Sequence, residues 1–238
     1  MRVVSLAPSA TATVAALGGS DRLVGVTTHC DAADAPVVGG WLNPDFQRVA
    51  DCDPDVVLTS DPLQREVRDD LRDRGFDVRH VEPATLDDVL ASFADIGDAV
   101  GLPDAGAELE AESRERVAEV REAAPEDAPV VYCEEWSDPP MAAGNWVPDV
   151  VEAAGGRYPF VDAGERSREV DATAVEAAAP AHAVVHVCGK GDSVDPDFAG
   201  RGWDFDADVH VLDDSLLNQP SPRLLDGLER LAATLRDD

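Results

Sequence analysis

The strongest candidates for metal chemistry in this sequence are two short clusters that mix soft and hard ligands. His29-Cys30-Asp31 forms one cluster, and Cys133-Glu134-Glu135 forms the other. Zinc and iron accept thiolate, imidazole and carboxylate ligands of this kind. His29, Cys30 and Cys133 are therefore candidate metal ligands, and with Glu135 they would make a metal-dependent enzyme. The alternative interpretation, which we favour, is an ordinary loop turn and a strand end.

The familiar signatures of catalytic sites are missing from this sequence. It has no G-x-S-x-G, G-x-G-x-x-G, P-loop or H-E-x-x-H pattern. The four cysteines are widely spaced, without a C-x-x-C pair. We therefore expect a binding protein that needs no cofactor, rather than an enzyme.

Tryptophan placement is the most informative feature, because only 5% of the residues are aromatic. Each tryptophan lies in a polar segment rich in glycine or proline, outside the expected core strands. Exposed indoles beside adaptable backbone suit a flat, apolar ligand. The alternative is that each indole covers an edge of the core. The four residues are Trp41, Trp136, Trp146 and Trp203.

Predicted strands and helices alternate along the chain, which indicates an α/β fold with parallel strands. A long charged helix with proline near both ends is predicted over 103–124. We expect it to connect an N-terminal lobe, 1–102, to a C-terminal lobe, 125–238. An ordinary surface helix within one domain is the alternative.

The two predicted lobes repeat one pattern, which favours a diverged duplication. In each half a strand and a helix are followed by Gly-Gly, a loop, a short helix, a proline and another strand. The Gly-Gly pairs are Gly18-Gly19 and Gly155-Gly156. Two lobes joined by one helix would leave a cleft at the carboxyl ends of their strands, where ligands bind in such folds.

The excess of acidic over basic side chains limits the kinds of partner that this protein can bind. There are 49 acidic and 19 basic side chains, a formal net charge of −30, and Lys190 is the only lysine. Such a dispersed acidic surplus favours a halophilic protein and excludes nucleic acid as a partner. No long apolar run or leader peptide is visible, so we expect a cytoplasmic monomer that does not insert into membranes. A leader removed earlier would place it on the extracytoplasmic face.

Several motifs resemble the helical-backbone substrate-binding proteins of ABC transporters, especially their cobalamin-binding branch. The resemblance covers nearly the full length. It implies two Rossmann-like α/β lobes joined by a single long backbone helix, with a corrinoid such as vitamin B12 held in the cleft between lobes. A siderophore or haem binder of the same fold is the alternative. The motifs are 2–9 (RVVSLAPS), 15–18 (AALG), 23–27 (LVGVT) with Cys30-Asp31, 54–57 (PDVV), 135–148 (EWSDPPMAAGNWVP) and 218–224 (NQPSPRL).

The resemblance also implies which residues face the ligand. Trp41 and Trp136 would face it from opposite lobes. Ser9, at the start of the first helix, would meet a phosphate or an amide. The second-lobe surface would be completed by Glu135, Asn145, Trp146 and Trp203.

Docking to an ABC permease would use one surface glutamate per lobe in this family. The matching positions here are Gln47 and Glu152, so only the second carries a carboxylate. Together with the missing leader, this leaves two functions open: delivery of a corrinoid to a permease, and cytoplasmic corrinoid salvage.

Overall fold

The computed structural model describes residues 1–32, 34–125 and 127–236, and it divides the chain into two compact units. Unit 1 comprises Met1–Pro83 and Asp88–Ser113, and unit 2 comprises Ala84–Asp87 and the chain from Arg114 onward. The predicted lobe boundaries at 102/103 and 124/125 are not the boundaries of these units. The long helix α5, Pro103–Glu122, instead belongs to unit 1 in its first half and to unit 2 in its second half.

Unit 1 is built on a four-stranded parallel sheet in the order β2-β1-β3-β4. The strands are β1 Val3–Ser5, β2 Leu23–Val26, β3 Val56–Ser60 and β4 Val78–Val81. The helices are α1 Pro8–Ala16, α2 Phe46–Asp51, α3 Arg65–Asp73 and α4 Leu86–Ala99. The two central strands, β1 and β3, are buried on both faces, as expected for a parallel sheet covered by helices.

Two separate cores cover the faces of this sheet. Alternate side chains of β1 and β3 pack with α1 and the end of α4 on one face, and with α2 and α3 on the other. Helices α4 and α5 approach closely at two glycines. A Cβ on Gly97 would lie 2.7 Å from the Gly106 Cα, so a larger residue there would separate the helices.

Unit 2 contains a five-stranded mixed sheet in the order β7-β6-β5-β8-β9. The strands are β5 Val131–Ser137, β6 Pro140–Ala142, β7 Arg168–Glu169, β8 His182–Val185 and β9 Asp208–Val211. The helices are α6 Val147–Ala153, α7 Ala172–Ala178 and α8 Arg223–Arg236. Strands β5, β8 and β9 are parallel. Strands β6 and β7 are antiparallel to their neighbours, and the sequence-based expectation of parallel strands did not include them.

Part of the strand order is the same in the two units: β5-β8-β9 repeats β1-β3-β4. Strand β6 is not the counterpart of β2, because β6 precedes α6 and runs antiparallel to β5, whereas β2 follows α1 and runs parallel to β1. In both units the first strand lies beside the strand that follows the short helix. Parallel strands therefore end together at one edge of each sheet, which we call the carboxyl edge of that unit.

Candidate functional site

Trp41 lies at the tip of a tight loop beside the carboxyl edge of unit 1. The loop is closed by a bridge between Gly39 and Pro44, and the Gly40 N–H donates to the Asn43 carbonyl. Gly39 has φ +124°, and a Cβ there would lie 2.7 Å from the Asp45 nitrogen, so the turn requires glycine. This geometry presents the Trp41 indole, which is half-buried, at the loop tip.

Two exposed leucines lie next in the chain to Trp41 or to Gln64, the residue that is hydrogen-bonded to Trp41. Leu42 is 49% exposed and Leu63 is 56% exposed. The Gln64 side chain donates to the Trp41 carbonyl at 2.7 Å, so the segment carrying Leu63 is joined to the Trp41 loop. We call Trp41, Leu42 and Leu63 the unit-1 patch. Sequence reasoning found Trp41 and missed both leucines, because isolated surface leucines are common and gave no signal.

Ser9 is the second residue of α1, as the sequence indicates, and it is buried. No side chain caps this helix, since Ala7 precedes it and Pro8 is its first residue. The Ser9 carbonyl accepts a hydrogen bond from the Thr13 hydroxyl at 3.0 Å within the helix. Its predicted contact with a ligand stays a prediction.

Trp136 is the most exposed tryptophan that the structure describes, at 47% of its surface. It lies near the end of β5, just after an irregularity in the pairing with β6, and opposite Met141. Its indole N–H donates to the Asp138 carbonyl at 2.8 Å. This bond ties the ring to its own turn, and its exposed surface is free for an apolar ligand.

The turn that follows Trp136 is hydrogen-bonded to the buried carboxylate of Glu134. Glu134 is 1% exposed and accepts hydrogen bonds from the Tyr132 hydroxyl at 3.0 Å and the Ser137 hydroxyl at 2.8 Å. Arg201 completes the group by an ion pair of 2.9 Å with the same carboxylate. The sequence analysis missed Glu134, although strand alternation places it on the same face of β5 as Tyr132.

Glu135, the predicted ligand contact, lies on the face of β5 opposite to Glu134. Its side chain is half-buried. Burial raises the pKa of the Glu135 carboxyl, and a hydrogen bond with Ser167 opposes that rise in pKa. The carboxyl therefore stays neutral to a higher pH than an exposed glutamate would.

Trp146 is built into the interior of unit 2. It is 7% exposed, and its indole N–H donates to the Leu217 carbonyl at 2.8 Å. Asn145, just before it, has φ +54° and is held through its backbone N–H by the Glu165 carbonyl. These contacts give Trp146 a packing role, while the half-buried Asn145 side chain keeps its predicted ligand contact as a prediction.

Trp203 also packs against its own unit. Its ring lies 5.7 Å from that of Phe198 and 5.9 Å from that of Tyr132, measured between centroids. Arg201 stacks over both Trp203 and Phe198 at 4.7 Å. The structure thus separates the four tryptophans into two that are presented at carboxyl edges and two that support unit 2.

The candidate metal ligands are placed in ordinary structural surroundings. His29 is exposed, and the Cys30 sulfur lies 3.1 Å from the Thr27 hydroxyl. Cys133 is fully buried in the unit 2 sheet, and this burial raises the pKa of its thiol. The described residues contain no group of three or more His, Cys, Asp or Glu side chains that could hold a metal ion. The metal-enzyme hypothesis therefore gains no support from them.

The two predicted docking positions both lie on exposed helix surfaces. Gln47, on α2, donates to the Asp51 carboxylate at 2.9 Å. Glu152 is exposed on α6. Across residues 1–32, 34–125 and 127–236, no helix is both long and apolar enough to cross a bilayer.

Two characterised relatives align with almost the whole chain. A vitamin B12-binding protein of Vibrio cholerae serotype O1 is 25% identical, with 99% of this chain and 89% of the relative covered. A cobalamin-binding protein of Halobacterium salinarum is 28% identical, with 97% of this chain and 68% of the relative covered. The similarity is therefore not confined to one unit.

Solved structures share the fold at lower identity. The periplasmic vitamin B12 binding protein of Vibrio cholerae superposes with a TM-score of 0.80 at 22% identity, covering 99% of this chain and 96% of that one. A periplasmic haem-binding protein of Roseiflexus gives a TM-score of 0.79 at 24% identity, covering 99% and 98%. Residues 3–200 match the family described as periplasmic binding protein. The chain belongs to the periplasmic binding protein family.

Proposed function

We propose that this protein binds a cobalamin-type corrinoid without turning it over. The observation that carries the proposal is the presentation of one tryptophan at the carboxyl edge of each unit, the half-buried Trp41 in unit 1 and the exposed Trp136 in unit 2. Indole faces stack on large planar ligands. The names of the relatives from Vibrio cholerae and Halobacterium salinarum support the same ligand class.

The charges near these tryptophans favour a neutral ligand over an anionic one. Arg65, just after the unit-1 patch, is already paired with Glu82, and Arg201 in unit 2 is paired with Glu134. Amide side chains surround a corrin ring, whereas haem carries two carboxylates and many siderophores are anionic. An anion would have to compete for these arginines on a protein of net charge −30. Cyanocobalamin has no net charge, because its cobalt balances its phosphodiester, so its cost is smaller.

Delivery to an ABC permease is the function that the family implies for the bound complex. The exposed Glu152 supports a contact with permease cations from unit 2. Gln47 offers no charge at the matching place in unit 1, so we propose that any docking is asymmetric. Replacement Gln47→Glu is expected to strengthen binding to a cognate permease and leave ligand affinity unchanged.

The deciding experiment is a titration with cyanocobalamin in concentrated potassium chloride, followed by tryptophan fluorescence and the visible bands of the ligand. We expect saturable one-to-one quenching. Trp41→Ala and Trp136→Ala should each weaken binding by about 1–3 kcal/mol, the range for aromatic stacking on a planar base. Val209→Ala, at an exposed apolar residue on the edge strand β9, is the control and should bind normally.

Two outcomes would reject the proposal. If the folded protein does not bind cyanocobalamin but binds haem or a ferric siderophore, the corrinoid proposal is rejected in favour of those alternative ligands. Unchanged affinity in both tryptophan variants would reject the site, even if the corrinoid binds.

A further inference from the structure

Strands β1 and β3 separate at the carboxyl edge of unit 1, and the Gln64 side chain fills the opening. The last direct ladder bond runs from the Leu6 N–H to the Leu58 carbonyl, at 2.9 Å. In a continuous parallel ladder the next bond would join the Ser60 N–H to the Leu6 carbonyl. Instead, Ser60 donates to the Gln64 Oε1 at 2.8 Å, and the Gln64 Nε2 donates to Leu6 at 3.0 Å.

The same amide also holds the Trp41 loop. Its Nε2 donates a second hydrogen bond, of 2.7 Å, to the Trp41 carbonyl. Gln64 is fully buried, and its amide uses both N–H groups and its oxygen in these three contacts. A glutamate could accept but not donate, and it would bring a negative charge against two carbonyl oxygens. The position therefore requires an amide of this length.

A strained turn returns Gln64 to the sheet. Asp61 has φ +75°, which is unfavourable for a residue with a Cβ. Its N–H donates to the Val81 carbonyl at 3.1 Å, and its carboxylate accepts from the Leu63 N–H at 2.7 Å. The turn is thus fixed from both sides before Pro62–Gln64 folds back over the ends of β1 and β3.

We propose that Gln64 is the positioning residue of the ligand surface: its amide fixes the Trp41 loop to the sheet so that the indole is in place before ligand arrives. This inference rests on the proposed function for its effect on binding. A loop fixed during folding loses less conformational freedom when ligand binds. Gln64 itself is buried and does not touch the ligand.

The test uses the full chain labelled with 5-fluorotryptophan. Each of the four tryptophans then gives its own fluorine resonance, and Trp→Phe variants assign each resonance to a residue. In Gln64→Asn the amide is too short to reach Trp41. We expect the Trp41 resonance to shift or broaden and that of the interior Trp146 to stay unchanged. Gln47→Asn, the same shortening at an exposed site of unit 1, should change neither resonance. An unchanged Trp41 resonance in folded Gln64→Asn would overturn the inference.

A double-mutant cycle tests the link to binding. Gln64→Asn should weaken cyanocobalamin binding about tenfold in the wild-type background and less than about twofold in a Trp41→Ala background, since the two changes remove one feature. Equal losses of affinity in both backgrounds would overturn the inference.

If Gln64→Asn does not fold, the rate of solvent exchange of the Gln64 amide protons in the wild-type protein is measured instead. We expect slow exchange, and rapid exchange would contradict a buried, fully bonded amide. Wild-type protein that fails to bind cyanocobalamin rejects the proposed function instead, and the fluorine comparison still decides the role of Gln64.

Discussion

A neutral histidine in unit 2 makes the stability of this protein depend on pH. His186 is fully buried, its Nδ1 pairs with the Asn218 Oδ1, and Asn218 also donates to the His186 carbonyl at 2.9 Å. Burial lowers the pKa of His186 from 6.5 to about 4, and the contact with Asn218 only partly opposes this. The folded protein therefore resists protonation at a pH where the unfolded chain accepts a proton.

The sign of the effect follows from this difference. Between pH 6.5 and about 4 the unfolded state binds a proton that the folded state refuses, so the free energy of unfolding falls as the pH falls. The contribution of His186 should approach about 3 kcal/mol at the acid end. His186→Gln should be less stable at neutral pH and should show a flatter decline. Urea unfolding at several pH values measures both, and parallel curves for the two proteins would contradict the prediction.

At the scale of elements, the ion pair between Glu134 and Arg201 connects β5 to the 198–205 loop. Arg201 also lies over the rings of Phe198 and Trp203. Arg201→Met should therefore leave the buried Glu134 carboxylate without its counter-charge and cost about 3 kcal/mol of unfolding free energy. Ser137, the residue after Trp136, is hydrogen-bonded to both Glu134 and Arg201, so the variant should also bind ligand more weakly.

The matched control is Arg65→Met in unit 1, which removes an exposed partner from Glu82. Exposed ion pairs contribute little, so the loss there should be much smaller. Urea unfolding in concentrated potassium chloride measures both variants. Losses of similar size would show that the Glu134 pair is no more important than a surface pair.

Element boundaries were predicted well where proline and glycine mark them. The sequence predicts the long helix over 103–124, and α5 spans Pro103–Glu122. The antiparallel strands β6 and β7 were not anticipated, because they contain only three and two residues and β6 begins with Pro140. Strand β6 follows β5 through a short local turn, whereas the pairing of β6 with β7 joins Met141 to Glu169, which is distant in the chain, and is therefore a tertiary contact.

At the scale of the whole molecule, a net charge of −30 makes the folded state repel itself in dilute buffer. The Debye length falls from about 10 Å at 0.1 M salt to about 3 Å at 1 M, so concentrated salt removes most of this repulsion. We expect the urea midpoint to rise strongly with potassium chloride. A neutral solute at the same osmolality serves as the control, and an equal rise in both solutions would argue against an electrostatic cause.

The fold class, the position of the long helix and the presence of tryptophans in polar segments could all be predicted from the sequence, because local preference and hydrophobic periodicity are encoded in neighbouring residues. The sequence could not show which of the four tryptophans are presented at a carboxyl edge and which are packed within unit 2. Trp146 and Trp203 are packed by residues distant in the chain, Leu217 and Tyr132. Gln64 gave no signal at all, since its amide acquires a role only where β1, β3 and the Trp41 loop meet. Its hydrogen bonds to Leu6 and Trp41 join residues that are 58 and 23 positions apart, so they form only when the chain has folded.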